Sequence, residues 1–324
     1  MKVSIIMPVY NAAPVMRRAL DSISAQTFRD FELVCVDDCS TDGSAAILSE
    51  YAAGSDFPVK VLSHQHNQGA AAARNTALDA AEGEYLSFID ADDALAPDAL
   101  EKAVGVLDRS GADIVGWDWY LSMTKNERLI RQADNASPLD GVRNFFSGVM
   151  RWNLWLFVSR RTLWVENGIR FIPGKNMGED LMVMSKAFCC SGKVAQIHEP
   201  LYHYNAVNSS SISKQFSPSN REQVSANVAE VERFVADSEY SSELQSCLDW
   251  LKLNIKLPLL VSGSKGDYRL WKEWYSEANP FVMSNKSLPL RTRLLQKAAA
   301  LGLWPVVWFY WLLVEKVFYG VIYR

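Results

Sequence analysis

Three carboxylates fall within four residues at Asp90, Asp92 and Asp93, directly after the apolar run Tyr85-Leu86-Ser87-Phe88-Ile89. A buried strand that emerges here presents all three acids together where it meets solvent. Like charges this close repel one another and each loses water on leaving the surface, so a cation has to offset the cost. Hard oxygen ligands select Mg²⁺ or Mn²⁺ over zinc, and such ions complete their shell with water and substrate phosphates. The motif therefore predicts a divalent metal and a phosphate-bearing substrate. The alternative is a solvated turn capping a helix that starts near Pro97, with Asp98 in its first turn. A second acidic pair, Glu179-Asp180, follows Gly178 and precedes an amphipathic stretch with Leu181, Val183, Met184 and Phe188. Acids at a helix N-terminus are favourable by themselves, by about 0.3 to 1 kcal/mol per charge, so a plain helix start competes with a chemical role.

The elements that must hold these residues read as strand-length apolar runs alternating with helical patterns, which implies βαβ units and a parallel sheet. Val3 to Val9, Phe31 to Val36, Val59 to Leu62 and Tyr85 to Asp90 are the expected strands. Val15 to Gln26 and Ala70 to Ala81 are the expected helices between them. In open sheets of this kind ligands bind outside the carboxyl ends of the strands. Three polar clusters fall at such ends: Asp37 with Asp38, Asn67 with Gly69, and Asp90 with Asp92.

Apolar residues make up 49% of the 324, charged residues 22%, and the net charge is −4, which excludes a disordered chain and argues against a nucleic-acid binder. The five cysteines, Cys35, Cys39, Cys189, Cys190 and Cys247, show no CxxC spacing and read as reduced thiols of a cytosolic protein. The start, Met1 to Pro8, leads straight into a strand without a charged leader, which is not a secretory signal.

The segments VSIIMPVYN, VDDCSTDGS, NQGAAAARN and FIDADDA, in that order, resemble the family 2 glycosyltransferases with the GT-A fold. The resemblance runs over about residues 1 to 120 and resumes near 178 to 212. It implies an α/β, Rossmann-like, mostly parallel sheet flanked by helices, with a C-terminal helical extension. It also implies roles, position by position. Asp37 matches the acid that accepts from the uracil ring N–H of a UDP-sugar, while Asp38 caps its loop. Pro8, Val9 and Tyr10 match the strand edge against which the base packs. Arg74 matches a basic side chain of the nucleotide pocket, with Asn67 and Gly69 shaping the loop before it. Asp90, Ala91 and Asp92 form the DxD motif, in which Asp92 binds Mn²⁺ or Mg²⁺ on the donor pyrophosphate and Asp90 contacts the ribose or the metal's water shell. Asp93 orients the sugar or begins the turn. Asp180 matches the base of inverting members, with Glu179 as the alternative in another register. His203, in Leu201-Tyr202-His203-Tyr204, either completes the metal shell or packs. Asn205 stands where relatives often carry Arg. The loop Asn208 to Ser213 matches one that closes over the pyrophosphate. Trp117, Asp118 and Trp119 line the acceptor side or form the core edge.

The implied activity is a metal-dependent inverting transferase, hexosyl or N-acetylhexosaminyl, that moves a sugar from a nucleotide-sugar to a hydroxyl of a growing glycan. That glycan is a lipid-linked polysaccharide or lipopolysaccharide, at the inner face of a bacterial membrane. A sugar-nucleotide nucleotidyltransferase would carry a glycine-rich basic loop where this chain has Pro8-Val9-Tyr10-Asn11-Ala12-Ala13. A non-catalytic sugar-binding protein on the same fold would have no use for a base.

Beyond this region the pattern turns helical, with Val224, Val228, Val231 and Val235 in one segment and Leu244, Leu248, Leu251 and Leu253 in the next. The expected division is a transferase domain over 1–215, a helical extension over 216–290 and an aromatic, basic-flanked helix over 291–324. From Leu301 to Tyr323 that last segment carries three of the eleven tryptophans, yet its unbroken apolar run, Leu303 to Val314, is too short for the roughly twenty residues of a membrane span. With Arg291, Arg293 and Lys297 ahead of it, it reads as a helix lying in the membrane surface. The alternative is a helix packed on the protein or on a second subunit of a homo-oligomer.

Overall fold

The computed structural model describes residues 1–124, 126–207 and 217–314. The chain divides into two compact units, Met1–Gly141 with Arg151–Phe234, and Val142–Met150 with Val235–Arg324.

In chain order the first unit holds β1 (Val3–Val9), α1 (Arg17–Ser24), β2 (Phe31–Asp37), α2 (Ser44–Gly54), β3 (Val59–Ser63), α3 (Ala70–Ala80), β4 (Tyr85–Phe88), β5 (Ala94–Leu95), α4 (Ala99–Ser110), β6 (Ile114–Ser122) and β7 (Glu127–Ile130). After α5 (Pro138–Ser147), which runs into the second unit, come β8 (Phe157–Arg160), α6 (Arg161–Glu166), α7 (Glu179–Cys190) and β9 (Val194–Asn205). Then follows α8 (Pro218–Asp237), which belongs to the first unit as far as Phe234.

The strands lie in the order β3-β2-β1-β4-β8-β6-β9-β5, with β7 beside β6. The first four are mutually parallel, as the unbroken apolar sequences of β1 and β2 require of strands covered on both faces. In register, Val9 stands beside Asp37 and Asp37 beside Ser63, so the carboxyl ends of β1, β2 and β3 share one edge. Beyond β4 the sheet is mixed. β8 pairs antiparallel with both β4 and β6, and β9 runs parallel to β6 across a register shift at Asp118 that accommodates Pro200. The expectation of a mostly parallel sheet holds for the N-terminal half. The later strands escape periodicity because β8 has four residues and β9 contains Glu199 and Pro200.

The first helix is shorter than expected. Its inner face is Ala19, Leu20 and Ile23, but Gln26 turns inward and binds Ser22 O, Ala96 O and the Leu100 N–H, which ends the helix and ties it to the start of α4. At the far end of α4, Gly111 takes φ 68° and closes the helix in the left-handed conformation that favours glycine.

The second unit contains α9 (Ser241–Lys256), α10 (Lys265–Glu273), α11 (Leu290–Ala300) and α12 (Trp304–Trp311) around a core that includes Leu260, Tyr268, Trp271, Leu295 and Val307. Its division from the first differs from the one expected. Residues 142–150 join it, and α8 stays mostly with the first unit because its side chains support the segment before α7. Asn227 donates to the carbonyls of Lys175 and Met177, and Gln223 accepts from the Asn176 N–H. The apolar repeats behave as read: Val224, Val228 and Val231, and later Leu244, Leu248 and Leu251, are all buried. The sequence segment 291–324 is not one helix. Gly302, at φ 83°, separates α11 from α12, and residues 315–324 lie outside the described residues.

Lys256 is fully buried in this unit, with its ammonium donating to Trp274 O at 2.8 Å, Tyr275 O at 2.9 Å and Asn279 Oδ1 at 2.6 Å, 4.5 Å from the centre of the Trp271 ring. Lys256→Met keeps the stem but leaves three acceptors without their donor. The expected loss is about 3 kcal/mol of unfolding free energy, since each stranded buried group costs roughly 1–3 kcal/mol and the new methyl recovers part. A urea titration checks it; an unchanged midpoint would show that the ammonium is not a structural link.

Candidate functional site

The edge where β1, β2 and β4 end opens onto a cavity of about 760 Å³, lined wholly by the first unit. Pro8, Val9 and Tyr10 form one wall at the end of β1, and Asn67 and Gly69 line it from the loop before α3. Gly69 sits at φ 86°, and a Cβ there would lie 2.1 Å from Asn176 Nδ2, so only glycine lets the two chain segments approach. Asn176 in turn accepts the Ala71 N–H at 2.9 Å, capping α3 from more than a hundred residues away.

Arg74, one turn into α3, is buried and central. Its Nη1 donates to Glu179 Oε1 at 2.8 Å and lies 3.5 Å from Asp180 Oδ1, while Nη2 donates to Asp90 Oδ1 at 3.1 Å. Burial works against its charge, but Asp180, Asp90 and Glu179 together overcome this and raise its pKa. The carboxylates respond in kind. Burial pushes Asp90 up to about 6, with Arg74 opposing and Asp180 and Asp92 adding to the rise. Burial and then Asp180 push Glu179 up to about 8. Burial also raises Asp180, against Arg74 and the Leu154 N–H that donates to its Oδ2 at 3.2 Å. Asp90, Ala91, Asp92, Glu179 and Asp180 all line the cavity.

Beside them stands an aromatic wall, tied to Asp180 through the Leu154 N–H and to Asp90 through the Tyr202 hydroxyl. Trp155 stacks on Tyr204 at 5.5 Å and on Tyr202 at 4.4 Å, and Trp152, Trp155 and Tyr204 face the cavity. Sequence reading missed Trp152, Trp155 and Asn176. Trp152 and Asn176 lie in loops and Trp155 in a single 3₁₀ turn, Leu154–Leu156, all without periodicity, and the Asn-Met-Gly before Glu179 was the available signal.

The other residues named from sequence take the following places. Asp37 does not line the cavity; it ends buried β2 and its Oδ1 accepts the Ser40 N–H. Asp38 does line it, and its carboxylate is occupied by His64 Nδ1 at 2.6 Å and by the Gln68 and Gly69 N–H groups, which makes it the loop's anchor. Asp93 is fully buried and binds the Tyr202 hydroxyl and the Asn205 N–H, each at 2.7 Å, so it faces β9 rather than a sugar. Burial, then Asp90 and Asp92, raise its pKa well above the usual carboxylate range. Trp117 and Asp118 are core residues, held by Trp155 O and the Gln132 N–H, because both belong to a central strand. His203 is outside the cavity lining, hydrogen-bonded to Glu127 at 2.9 Å and packed on Tyr120. The loop 208–213 lies outside the described residues.

Tyr202 connects these parts: its hydroxyl accepts the Asp90 N–H at 3.2 Å while donating to Asp93. Tyr202→Phe strands both partners, so a loss of about 1–3 kcal/mol is expected in thermal or urea unfolding. A divalent metal held by Asp90 would bind more weakly as well, because the Asp90 turn loses its tether. Unaltered metal binding in a destabilised variant would confine Tyr202 to packing.

The sequence profile described as "Glycosyl transferase family 2" matches residues 4–184, more than half of the chain. The uncharacterized glycosyltransferase EpsJ of Bacillus subtilis is 29% identical over 209 residues, which are 62% of this chain and 60% of EpsJ. The chain thus spans less than two thirds of that relative. The succinoglycan biosynthesis protein ExoO of Rhizobium meliloti is 26% identical over 307 residues, 92% of this chain and 87% of ExoO. Among solved structures, residues 1–349 of S. aureus TarS in complex with UDP-GlcNAc superimpose with a TM-score of 0.72 at 21% identity, over 100% of this chain and 93% of that one. The fold is therefore the GT-A fold.

Proposed function

Because the chain belongs to glycosyl transferase family 2, we propose that it is a metal-dependent inverting transferase that moves a hexose or N-acetylhexosamine from a UDP-sugar to a hydroxyl of a lipid-linked glycan. The observation that carries this reading is the convergence of two acidic pairs, Asp90 with Asp92 and Glu179 with Asp180, on one cavity, with Arg74 bonded to both. The UDP-GlcNAc bound by TarS supports the donor class, and the succinoglycan role in the name of ExoO supports a cell-surface glycan.

The donor set fits Mg²⁺ or Mn²⁺. Asp90 and Asp92 offer hard oxygens at the cavity. Among the described residues no group of three or more His, Cys, Asp and Glu is arranged to enclose a metal. Two carboxylates with other positions left to water and diphosphate suit such an ion. When bound, it would supply charge stabilisation for the departing UDP.

The remaining steps fall to the chain. The nucleotide packs against the Pro8–Tyr10 wall, with Asn67 and Gly69 closing its side. Asp180 takes the proton from the acceptor hydroxyl: one oxygen is held by the Leu154 amide, and burial makes the carboxylate a stronger base. Trp152, Trp155 and Tyr204 give the sugars an aromatic face. The enzyme works at the inner face of the cell membrane, held by its C-terminal helices.

The test is incubation with a panel of nucleotide-sugars, with and without Mn²⁺, following release of free nucleotide. Metal-dependent release from UDP-sugars is expected. No release from any donor, with candidate acceptors present, would refute the reading.

A further inference from the structure

Of the second unit's last two described helices, α12 is apolar all round and α11 adds an exposed apolar stripe between its bases. Their inner faces, including Leu295, Ala299 and Val307, belong to the unit's core. Their outer faces carry a second stripe, Leu290, Leu294 and Leu301 along α11 and Val306, Phe309 and Leu313 along α12 and its continuation, each between 42% and 56% exposed except Leu301 at 63%. Three- and four-residue steps, or their sum, keep each set on one helix face. A helix apolar all round is ordinarily covered on all sides, and a large contiguous exposed patch marks an interaction surface.

Charge identifies the cover. Between Glu277 and Glu315 the chain has no acidic residue and four bases, Lys286, Arg291, Arg293 and Lys297. Among the described residues none of these four makes an ion pair. The chain as a whole is acidic, at −4, so this excess is local. A second copy would set the same cationic patch against itself in a two-fold contact, without an acid to compensate.

We infer that this face docks on an anionic lipid surface. Val306, Phe309 and Leu313 enter the acyl boundary, Trp308 settles at headgroup depth, and Arg291, Arg293 and Lys297 meet the negative headgroups. This deepens the membrane placement proposed above and rests on it, not on the transfer chemistry.

The full chain is to be co-sedimented with vesicles of phosphatidylcholine alone and with vesicles containing phosphatidylglycerol, at low salt and at about 0.5 M salt, where charges are screened within a few ångströms. Strong sedimentation only with the anionic vesicles, weakened by salt, is expected. Arg291→Gln, Arg293→Gln and Lys297→Gln combined should weaken it about a hundred-fold, at about five-fold per cation. Val306→Ser, Phe309→Ser and Leu313→Ser combined should abolish it, with thermal melting of these exposed-site variants verifying that they fold. Equal, salt-insensitive binding to both vesicle types overturns the anionic preference but keeps the membrane placement. Binding to neither overturns both. A concentration-dependent dimer in lipid-free buffer that Phe309→Ser dissolves gives the face to a second copy and overturns the inference. Nucleotide release with a soluble acceptor, measured in parallel without lipid, keeps these outcomes separate from any failure of the transferase reading.

Discussion

Asp180→Asn is expected to lower kcat by about 10²- to 10⁴-fold, the usual contribution of a positioned general base, while donor affinity stays within a few-fold. The amide keeps the shape and an acceptor oxygen for the Leu154 N–H, so the loop that carries Trp155 remains in place. What it loses is the capacity to take a proton. The matching change Glu179→Gln should cost less than about ten-fold. Glu179 is pushed up to about 8 by burial and by Asp180, and its Oε1 is held by the Arg74 guanidinium at 2.8 Å, which leaves it an anchor for Arg74. Steady-state kinetics with a saturating acceptor, together with calorimetric donor binding, separate the two. A fully active Asp180→Asn beside an inactive Glu179→Gln would transfer the role to Glu179.

Arg74→Met should have the largest effect on stability, about 3–5 kcal/mol, because it removes a cation paired with three buried or part-buried carboxylates. The loss should depend on pH. Asp90 is raised to about 6 and Glu179 to about 8 in the folded chain, from ordinary values of 3.8 and 4.5. The native state therefore holds protons that the unfolded chain has released. Their contribution to stability is complete below about pH 4 and is lost as pH rises through 6 and then 8. Without the guanidinium both groups move higher still, so the variant should lose more stability than the parent between pH 5 and pH 8. Urea unfolding at those two pH values checks this. A variant penalised equally at both would show that Arg74 is held by packing on Phe171, 5.7 Å away, rather than by charge. Added divalent metal should restore part of the loss if Asp90 and Asp92 bind it, since a ligand specific for the native state stabilises it.

The first four strands, the helices between them and the acids at their ends were legible in the sequence for a local reason. A strand covered on both faces has to be apolar throughout, and the first polar residues after it have to mark the edge where ligands bind. Thus Asp90, Asp92, Asn67 and Gly69 were named in advance and line the cavity, as do Glu179 and Asp180, which the amphipathic stretch after them and the family resemblance marked. Their division of labour was not legible. Asp93 and Asp92 are adjacent acids of one tetrapeptide, yet one is fully buried against Tyr202 and the other lines the cavity, because strand β9 arrives from a hundred residues further along the chain. His203 was separated from the cavity by pairing with Glu127, and Trp117 with Asp118 by the central position of β6. Arg74 read as a nucleotide contact through the match of its ARN segment to the family, while its partners Glu179 and Asp180 lie about a hundred residues away. A side chain's type and period fix its element and its tendency to be buried. Which charge it meets depends on how distant segments pack, and that the tertiary structure alone decides.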